Sequence, residues 1–118
     1  MTQEEKDLLL RDLCARLPYG VKINENTQGD FTVIGLTMER VFTTCETEGC
    51  HNDFPVECVK PYLFPLSSIT KKTLEELSAY IDIKNAYVAV EFFNSHHIDY
   101  RGLIEKGLAI DATSLNIY

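Results

Sequence analysis

The chain has 118 residues, of which 45% are hydrophobic and 25% charged, a balance typical of one globular domain spanning residues 1–118. Its formal net charge of −7 argues against general nucleic-acid binding, which needs a surplus of lysine and arginine to displace phosphate counterions. No apolar run approaches the roughly 20 residues that span a membrane, and the acidic start MTQEEKDLLL lacks a signal peptide's positive region, so we expect a cytoplasmic protein without a membrane partner.

The first predicted element is a helix that begins after Thr2. Thr2 and Glu5 have the spacing of a capping box, in which each side chain bonds the backbone N–H of the other residue. The apolar residues that follow at helical spacing predict a buried stripe of Leu9, Leu10, Leu13, Cys14 and Leu17. The other face is predicted to be solvated and carries Lys6, Arg11, Asp12 and Arg16. Pro18 and Gly20 end this helix.

Residues 21–63 predict an antiparallel sheet. Val21 and Ile23 alternate with polar residues, and ENTQGD at 25–30 has the composition of a hairpin turn. FTVIGLTM at 31–38 is rich in β-forming residues, with Gly35 as a candidate bulge, and a tight turn near Glu39 and Arg40 leads into VFTTC at 41–45. PVECV at 55–59 predicts a fourth strand, placed at the edge because Pro55 and Pro61 cannot donate to a ladder.

The rest of the chain is predicted to be mainly helical. We interpret KPYLFPLSS at 60–68 as a connector, followed by a helix from Thr70 whose buried stripe is Leu74, Leu77 and Ile81, with Ile69 and Leu74 as a staple. Residues 84–97 fit both helix and strand; we favour a helix capped by Asp82 or Asn85, with one face formed by Ala86, Ala89, Val90, Phe93 and His97. A last helical turn near Leu103–Lys106 would be closed by Gly107.

The predicted fold class is therefore α+β. It comprises an N-terminal helix, an antiparallel sheet of three to five strands with helices on one face, two further helices and a short C-terminal helical turn.

Three segments, LLLRDLCARLPYGVKI at 8–23, VKPYLFPLSSIT at 59–70 and NSHHIDYRGLIEKGLAIDA at 94–112, resemble a family of small uncharacterised proteins. The family occurs in gut anaerobic bacteria and in their phages and prophages. The resemblance implies a phage or mobile-element context and a helix over the 84–97 region. It implies no activity and no functional residue.

The densest group of reactive side chains is His96, His97, Asp99, Tyr100 and Arg101. A histidine here would suit acid–base catalysis with Asp99 as its orienting partner, since imidazole titrates near neutral pH. No GxSxG, HExxH or CxxC motif accompanies it, and consecutive helical residues point about 100° apart. We therefore favour a structural role: the histidines stabilise the negative end of a helix, His97 is the more buried, Ile98 turns inward and Asp99 pairs with Arg101. The five residues remain our candidate binding surface.

The cysteine loop has the pattern C-x4-C-H-x6-C, formed by Cys45, Cys50, His51 and Cys58. Three thiolates and an imidazole could bind zinc tetrahedrally, but the spacing lacks the usual C-x2-C knuckle. We favour reduced cysteines in a β-hairpin, with a zinc-stabilised module as the alternative.

The leading functional hypothesis is a small non-enzymatic accessory protein of a phage or mobile element that acts through contacts with another protein. The alternatives are a small acid–base or metal-dependent enzyme using His96, His97 and Asp99, and the zinc module. We assign no catalytic residue and expect no cofactor and no metal ligand. The identity of the partner and the oligomeric state are left open.

Overall fold

A mixed β-sheet forms the centre of the fold in the computed structural model, which describes residues 1–44, 52–69, 75 and 86–118. The strands of this part of the chain are ordered β4-β3-β2-β1-β5-β6, and β7 also pairs with β5. With one helix before the sheet and a second helix inserted late in the chain, the fold is α+β, as predicted. The prediction of three to five antiparallel strands is wrong, because the described residues already form seven strands and two of their pairings are parallel.

Helix α1 spans Gln3–Arg16 and begins with the predicted capping box. The Glu5 N–H donates to Thr2 Oγ1 at 3.1 Å, and the Thr2 N–H donates to Glu5 Oε1 at 3.0 Å. Leu9 and Leu13 are fully buried, as the apolar stripe predicts. Cys14, however, is exposed.

The prediction that the polar face of α1 is solvated is also partly wrong, since Asp12 and Arg16 are both fully buried. Their ion pair supplies the polar contacts that burial requires, so a pattern based on hydrophobicity alone places them on the wrong side. A short 3-10 turn, Leu17–Tyr19, and Gly20 then end the helical segment.

Three antiparallel strands follow, β1 (Lys22–Glu25), β2 (Gly29–Leu36) and β3 (Arg40–Thr43). The predicted hairpin at 25–30 is confirmed, because β1 and β2 pair from Lys22↔Thr32 to Glu25↔Gly29. The predicted irregularity is confirmed too: the β2–β3 register shifts between Val33 and Gly35.

The prediction for residues 55–68 is wrong. Strand β4 is Asn52–Pro55, residues Val56–Cys58 form a 3-10 turn, and the supposed connector contains β5, Val59–Pro65. β5 is a central strand that pairs with β1, with Ile23 opposite Pro61. Its prolines indicate a connector, but the apolar run at 61–66, in which Tyr62 and Leu63 are buried, is typical of a buried strand.

Helix α2 spans Ala86–Ser95, which confirms the helical interpretation of this region. Its buried face differs from the predicted one: Phe92 is buried, whereas Val90 is 39% exposed. The chain then forms β6 (Ile98–Asp99) and β7 (Ile110–Asp111), both parallel to β5. Parallel pairing requires a crossover between strands, and the chain that leads through α2 to β6 provides one.

The predicted last helical turn is present as a single hydrogen-bonded turn at residues 103–107. Gly107 closes it as predicted, with a φ of 73°. The Leu108 N–H donates to the Leu103 carbonyl at 2.9 Å and the Gly107 N–H to the Ile104 carbonyl at 3.1 Å, the bond pattern of a Schellman motif.

The main core lies between α1 and one face of the sheet, where Leu9 and Leu13 pack with Val33 and Val41. A smaller cluster joins Phe92 of α2 to Ile98. In the part of the chain that the structure describes, neither helix has the length and apolarity needed to cross a bilayer.

Several sequence predictions fall on residues outside the described part of the chain. These are the helix beginning at Thr70, its staple to Leu74, the caps Asp82 and Asn85, and three members of the cysteine loop, Cys45, Cys50 and His51.

Candidate functional site

The residues proposed from sequence, 96–101, lie where α2 ends and turns into β6. His97 adopts a φ of 57°, the left-handed conformation that terminates a helix, and its N–H donates to the Asn94 carbonyl at 3.2 Å. The His97 carbonyl then accepts from the Phe64 N–H at 2.8 Å, which starts the pairing of β6 with β5. His97 is therefore placed by the helix end and not, as predicted, by the phase of the helix face.

A buried ion pair from α1 supports this helix end. Arg16 donates to both carboxylate oxygens of Asp12, at 2.8 and 3.1 Å, and both side chains are fully buried. The same guanidinium donates to the Phe93 carbonyl at 3.3 Å and to the Ile98 carbonyl at 2.6 Å. Because the last carbonyls of a helix lack intrahelical partners, Arg16 acts as a cap for α2. Burial raises the pKa of the Asp12 carboxyl, and the two arginines beside it act in the opposite direction.

Tyr100 and Arg101 close this polar network toward the surface. Arg101 donates from Nε to Asp12 Oδ1 at 3.3 Å and from its guanidinium to the Tyr100 hydroxyl at 2.8 Å. The Arg101 guanidinium also lies 4.7 Å from the Tyr100 ring centroid, and the Phe93 ring stacks with Tyr100 at a centroid distance of 5.7 Å. Asp12 therefore serves two cations, and the predicted Asp99–Arg101 pair is replaced by Asp12–Arg101.

Asp99 has a different role. Its carboxylate is buried and accepts the N–H groups of Leu103 and Ile104, each at 2.9 Å. These are the first amides of the turn at 103–107, so Asp99 caps that turn.

His96 is exposed and stays at the end of α2. Its Nδ1 lies 2.9 Å from the Phe92 carbonyl and its ring stacks on the Phe92 ring at 4.1 Å. A helix-terminal position for this histidine is what the sequence predicts. The predicted difference in burial is confirmed as well, since His97 is only 8% exposed.

The His97 ring packs on Tyr118. The two rings are 3.8 Å apart at their centroids and nearly parallel, with an interplanar angle of 11°. Among the described residues, His97 Nδ1 is one of two buried side-chain atoms without a hydrogen-bond partner. Burial, reinforced by the positive charges of Arg16, His96 and Lys22, lowers the pKa of His97 to about 4. The ring is thus neutral at neutral pH.

Of the five candidate residues, Tyr100 and Arg101 contact each other, whereas His97, Asp99 and Arg101 each bind a different partner outside the group. His97 meets Tyr118, Asp99 binds backbone amides, and Arg101 binds Asp12. Sequence reasoning missed Asp12, Arg16 and Tyr118. The first two have the i, i+4 spacing of an ordinary exposed helix pair, and no local pattern connects Tyr118 to His97, 21 positions earlier.

A second candidate surface lies on β2, β3 and the turn between them; we call it the open face and define it by Ile34, Met38 and Phe42. Ile34 is 57% and Met38 86% exposed. Phe42 is half-buried and lies between two buried residues of β3, so alternation directs its side chain away from the core.

Of the four candidate zinc ligands in the cysteine loop, the structure describes Cys58, whose thiol is free and exposed. Within the described residues, no group of three or more His, Cys, Asp or Glu side chains is arranged to hold a metal ion.

Comparison with protein-family models, with curated proteins and with solved structures finds no match to this chain.

Proposed function

We propose that the protein is a non-enzymatic accessory protein of a phage or other mobile element, acting in the cytoplasm through contacts with another protein. The observation that carries this proposal is the open face, where the apolar side chains of Ile34 on β2 and Met38 in the β2–β3 turn are exposed to solvent. The mobile-element context rests on the resemblance of residues 8–23, 59–70 and 94–112 to the phage-associated family.

The geometry of the open face suits a protein contact. Ile34 lies at the register shift of β2, Met38 lies in the β2–β3 turn, and Phe42 lies opposite Gly35 on β3. Gly35 has no side chain to cover the Phe42 ring. Burying an apolar side chain of this size in an interface contributes about 1.5–3 kcal/mol, and Met adapts readily to irregular partner surfaces.

The contacts around residues 96–101 support a structural role rather than acid–base catalysis. The Asp99 carboxylate is occupied by two amides, and His96 Nδ1 is bonded to the Phe92 carbonyl. The solvent-accessible members of this group, His96, Tyr100 and Arg101, would form a contact surface in addition to the open face.

The test is capture of a partner from a gut-anaerobe lysate, followed by binding measurements with that partner purified. Met38→Asp and Ile34→Asp should each weaken binding at least about tenfold, because in the complex a charge would replace an apolar group that the partner buries. Val90→Asp is the control, since Val90 is also an exposed apolar residue but lies on α2, away from the open face.

Unchanged affinity in both open-face variants contradicts the assignment of this surface. If His96→Ala or Arg101→Ala then abolishes binding, the interface lies at the end of α2. A protein that binds no purified partner but turns over a substrate, with loss of activity in His97→Asn, would replace the proposal with the enzymatic alternative.

A further inference from the structure

The Tyr118 hydroxyl lies between two strands of the sheet. It accepts a hydrogen bond from the Lys22 N–H at 2.9 Å and donates one to the Tyr62 carbonyl at 2.8 Å. The β1–β5 ladder pairs Ile23 with Pro61, and Lys22 and Tyr62 are the next residues along each strand. One side-chain hydroxyl therefore bridges two backbone groups that a continued ladder would have joined directly.

The ring of Tyr118 is held as specifically as its hydroxyl. One face stacks on His97 at 3.8 Å, and the Phe64 ring lies 5.9 Å away at a tilt of 53°. Burial of the hydroxyl end raises the pKa of Tyr118 to about 12, so the group keeps the proton that it donates to Tyr62. We call the pocket formed by His97, Phe64, the Lys22 N–H and the Tyr62 carbonyl the phenol niche.

The segment that brings Tyr118 to this niche is loosely attached. We call residues 113–118 the latch. Thr113 to Asn116 are exposed, Tyr118 itself is 42% exposed, and the latch forms neither helix nor strand. Apart from Tyr118, its one bond to a distant part of the described chain runs from Lys22 Nζ to the Ile117 carbonyl at 3.0 Å. Its other bonds are local ones, from Thr113 to the Asp111 carboxylate and from the Leu115 N–H to the Ala112 carbonyl. Segments with few buried contacts open locally at a lower free energy than the whole domain.

We propose that the phenol niche is a binding site for a tyrosine side chain, filled by the protein's own latch and available to a tyrosine of another polypeptide when the latch opens. The niche offers one donor and one acceptor spaced for a single hydroxyl, beside a planar surface for a single ring. A site built to bond a hydroxyl rejects the analogue without one, because its polar groups are left unpaired. The niche therefore selects tyrosine over phenylalanine. This inference does not depend on the open face.

The first test empties the niche and refills it with a small probe. Tyr118→Ala should bind p-cresol, which reproduces the tyrosine side chain, with saturable NMR shifts at Lys22 and His97. Toluene, which lacks the hydroxyl, should bind at least about tenfold more weakly because two backbone groups lose their partner. The wild-type protein and Tyr19→Ala, in which a tyrosine of similar exposure (39% against 42% for Tyr118) is removed elsewhere, should bind p-cresol at least tenfold more weakly than Tyr118→Ala. A folded Tyr118→Ala variant that shows no saturable shift, or binds both probes equally, overturns the proposal.

The second test uses hydrogen exchange and needs no cavity. In the wild-type protein, the Lys22 amide should exchange through local opening, at least about tenfold faster than the Val33 amide, which bonds the Val21 carbonyl within the sheet. Tyr118→Phe should accelerate exchange at Lys22 at least tenfold more than at Val33, and Tyr19→Phe should change neither. If Lys22 exchanges only with global unfolding, the latch does not open and the proposal is wrong, even where Tyr118→Ala fails to fold.

Discussion

Arg16 is the largest fully buried side chain among the described residues. Transfer of a guanidinium from water into a protein interior is costly, and it is compensated here by two bonds to Asp12 and two to backbone carbonyls. The pair therefore fixes the position of α1 relative to the end of α2. The pair contributes mainly to the specificity of the fold, since the cost of burying both charges offsets much of their attraction. Removing one partner would leave the other as an uncompensated buried charge.

This arrangement predicts an asymmetry between two carboxylates. Asp12→Ala should lower the free energy of unfolding by about 3–5 kcal/mol, since Arg16 would remain buried without its counterion. Glu57→Ala is the control: Glu57 pairs with Lys6 at 3.0 Å at a solvent-exposed position, and its loss should cost less than about 1 kcal/mol. Urea denaturation of the three proteins measures both values. Similar losses for the two variants would mean that Arg16 gains access to water in Asp12→Ala.

His97 predicts a pH dependence of stability. Its folded pKa of about 4 lies below the ordinary 6.5, so the unfolded chain binds more protons between these values. Stability should therefore rise with pH through this window: the contribution of neutral His97 is complete above pH 6.5 and is lost as pH falls toward 4. The charged groups near the ring are Arg16 from α1, Lys22 from β1 and the neighbouring His96, all of which oppose its protonation, and the ring that stacks on it is Tyr118.

The matched variant for this measurement is His97→Asn. Asparagine tolerates the left-handed backbone at this position but does not titrate, so the carboxylates common to both proteins cancel in the comparison. Unfolding free energies measured between pH 4 and 7 should show a smaller slope in His97→Asn than in the wild type. Identical slopes would show that His97 is protonated as easily in the folded protein as in the unfolded chain.

At the scale of elements, the sequence predicts what local rules decide. The capping box of Thr2 and Glu5, the hairpin at 25–30 and the irregularity at Gly35 each depend on residues close in sequence, and all three are present. Strand β5 is not predicted because its two prolines are typical of a connector. Strands β6 and β7 are not predicted because each has two residues, too few for a periodic pattern, and forms only by pairing with β5. Partners so distant in sequence leave no periodic signal.

The turn at 103–107 provides an element-scale prediction. Gly107 has a φ of 73° with open space around the position of a Cβ, so Gly107→Ala should cost about 1–2 kcal/mol through backbone strain alone. Gly35→Ala is the control, because Gly35 has no left-handed φ and its Cβ would make an ordinary 3.8 Å contact with Phe42; we expect a cost below about 0.5 kcal/mol. Thermal denaturation of both variants measures the difference. A loss at Gly35 as large as that at Gly107 would contradict the strain argument.

At the scale of the whole molecule, the architecture depends on contacts between distant parts of the chain. β5 pairs antiparallel with β1, which precedes it in the chain, and parallel with β6 and β7, which follow it. It therefore joins the antiparallel part of the sheet to the parallel part. Arg16 and Tyr118 connect the same two halves through side chains. The length of the chain predicts one domain and its predicted elements an α+β fold. The order of strands in the sheet and the site around His97 both depend on these long-range pairings, which no local pattern of residues specifies.

The distribution of charge gives the last prediction. The net charge is −7, and three of the four arginines, Arg16, Arg40 and Arg101, already pair with Asp12 or Asp53. Few guanidinium groups are therefore free to replace phosphate counterions, and we expect no salt-sensitive binding to random duplex DNA near physiological ionic strength. Fluorescence anisotropy of a labelled duplex, titrated at two salt concentrations with a basic protein of similar size as positive control, measures this. Micromolar binding that weakens steeply with added salt would contradict the prediction and would point to a local basic surface strong enough to overcome the acidic whole.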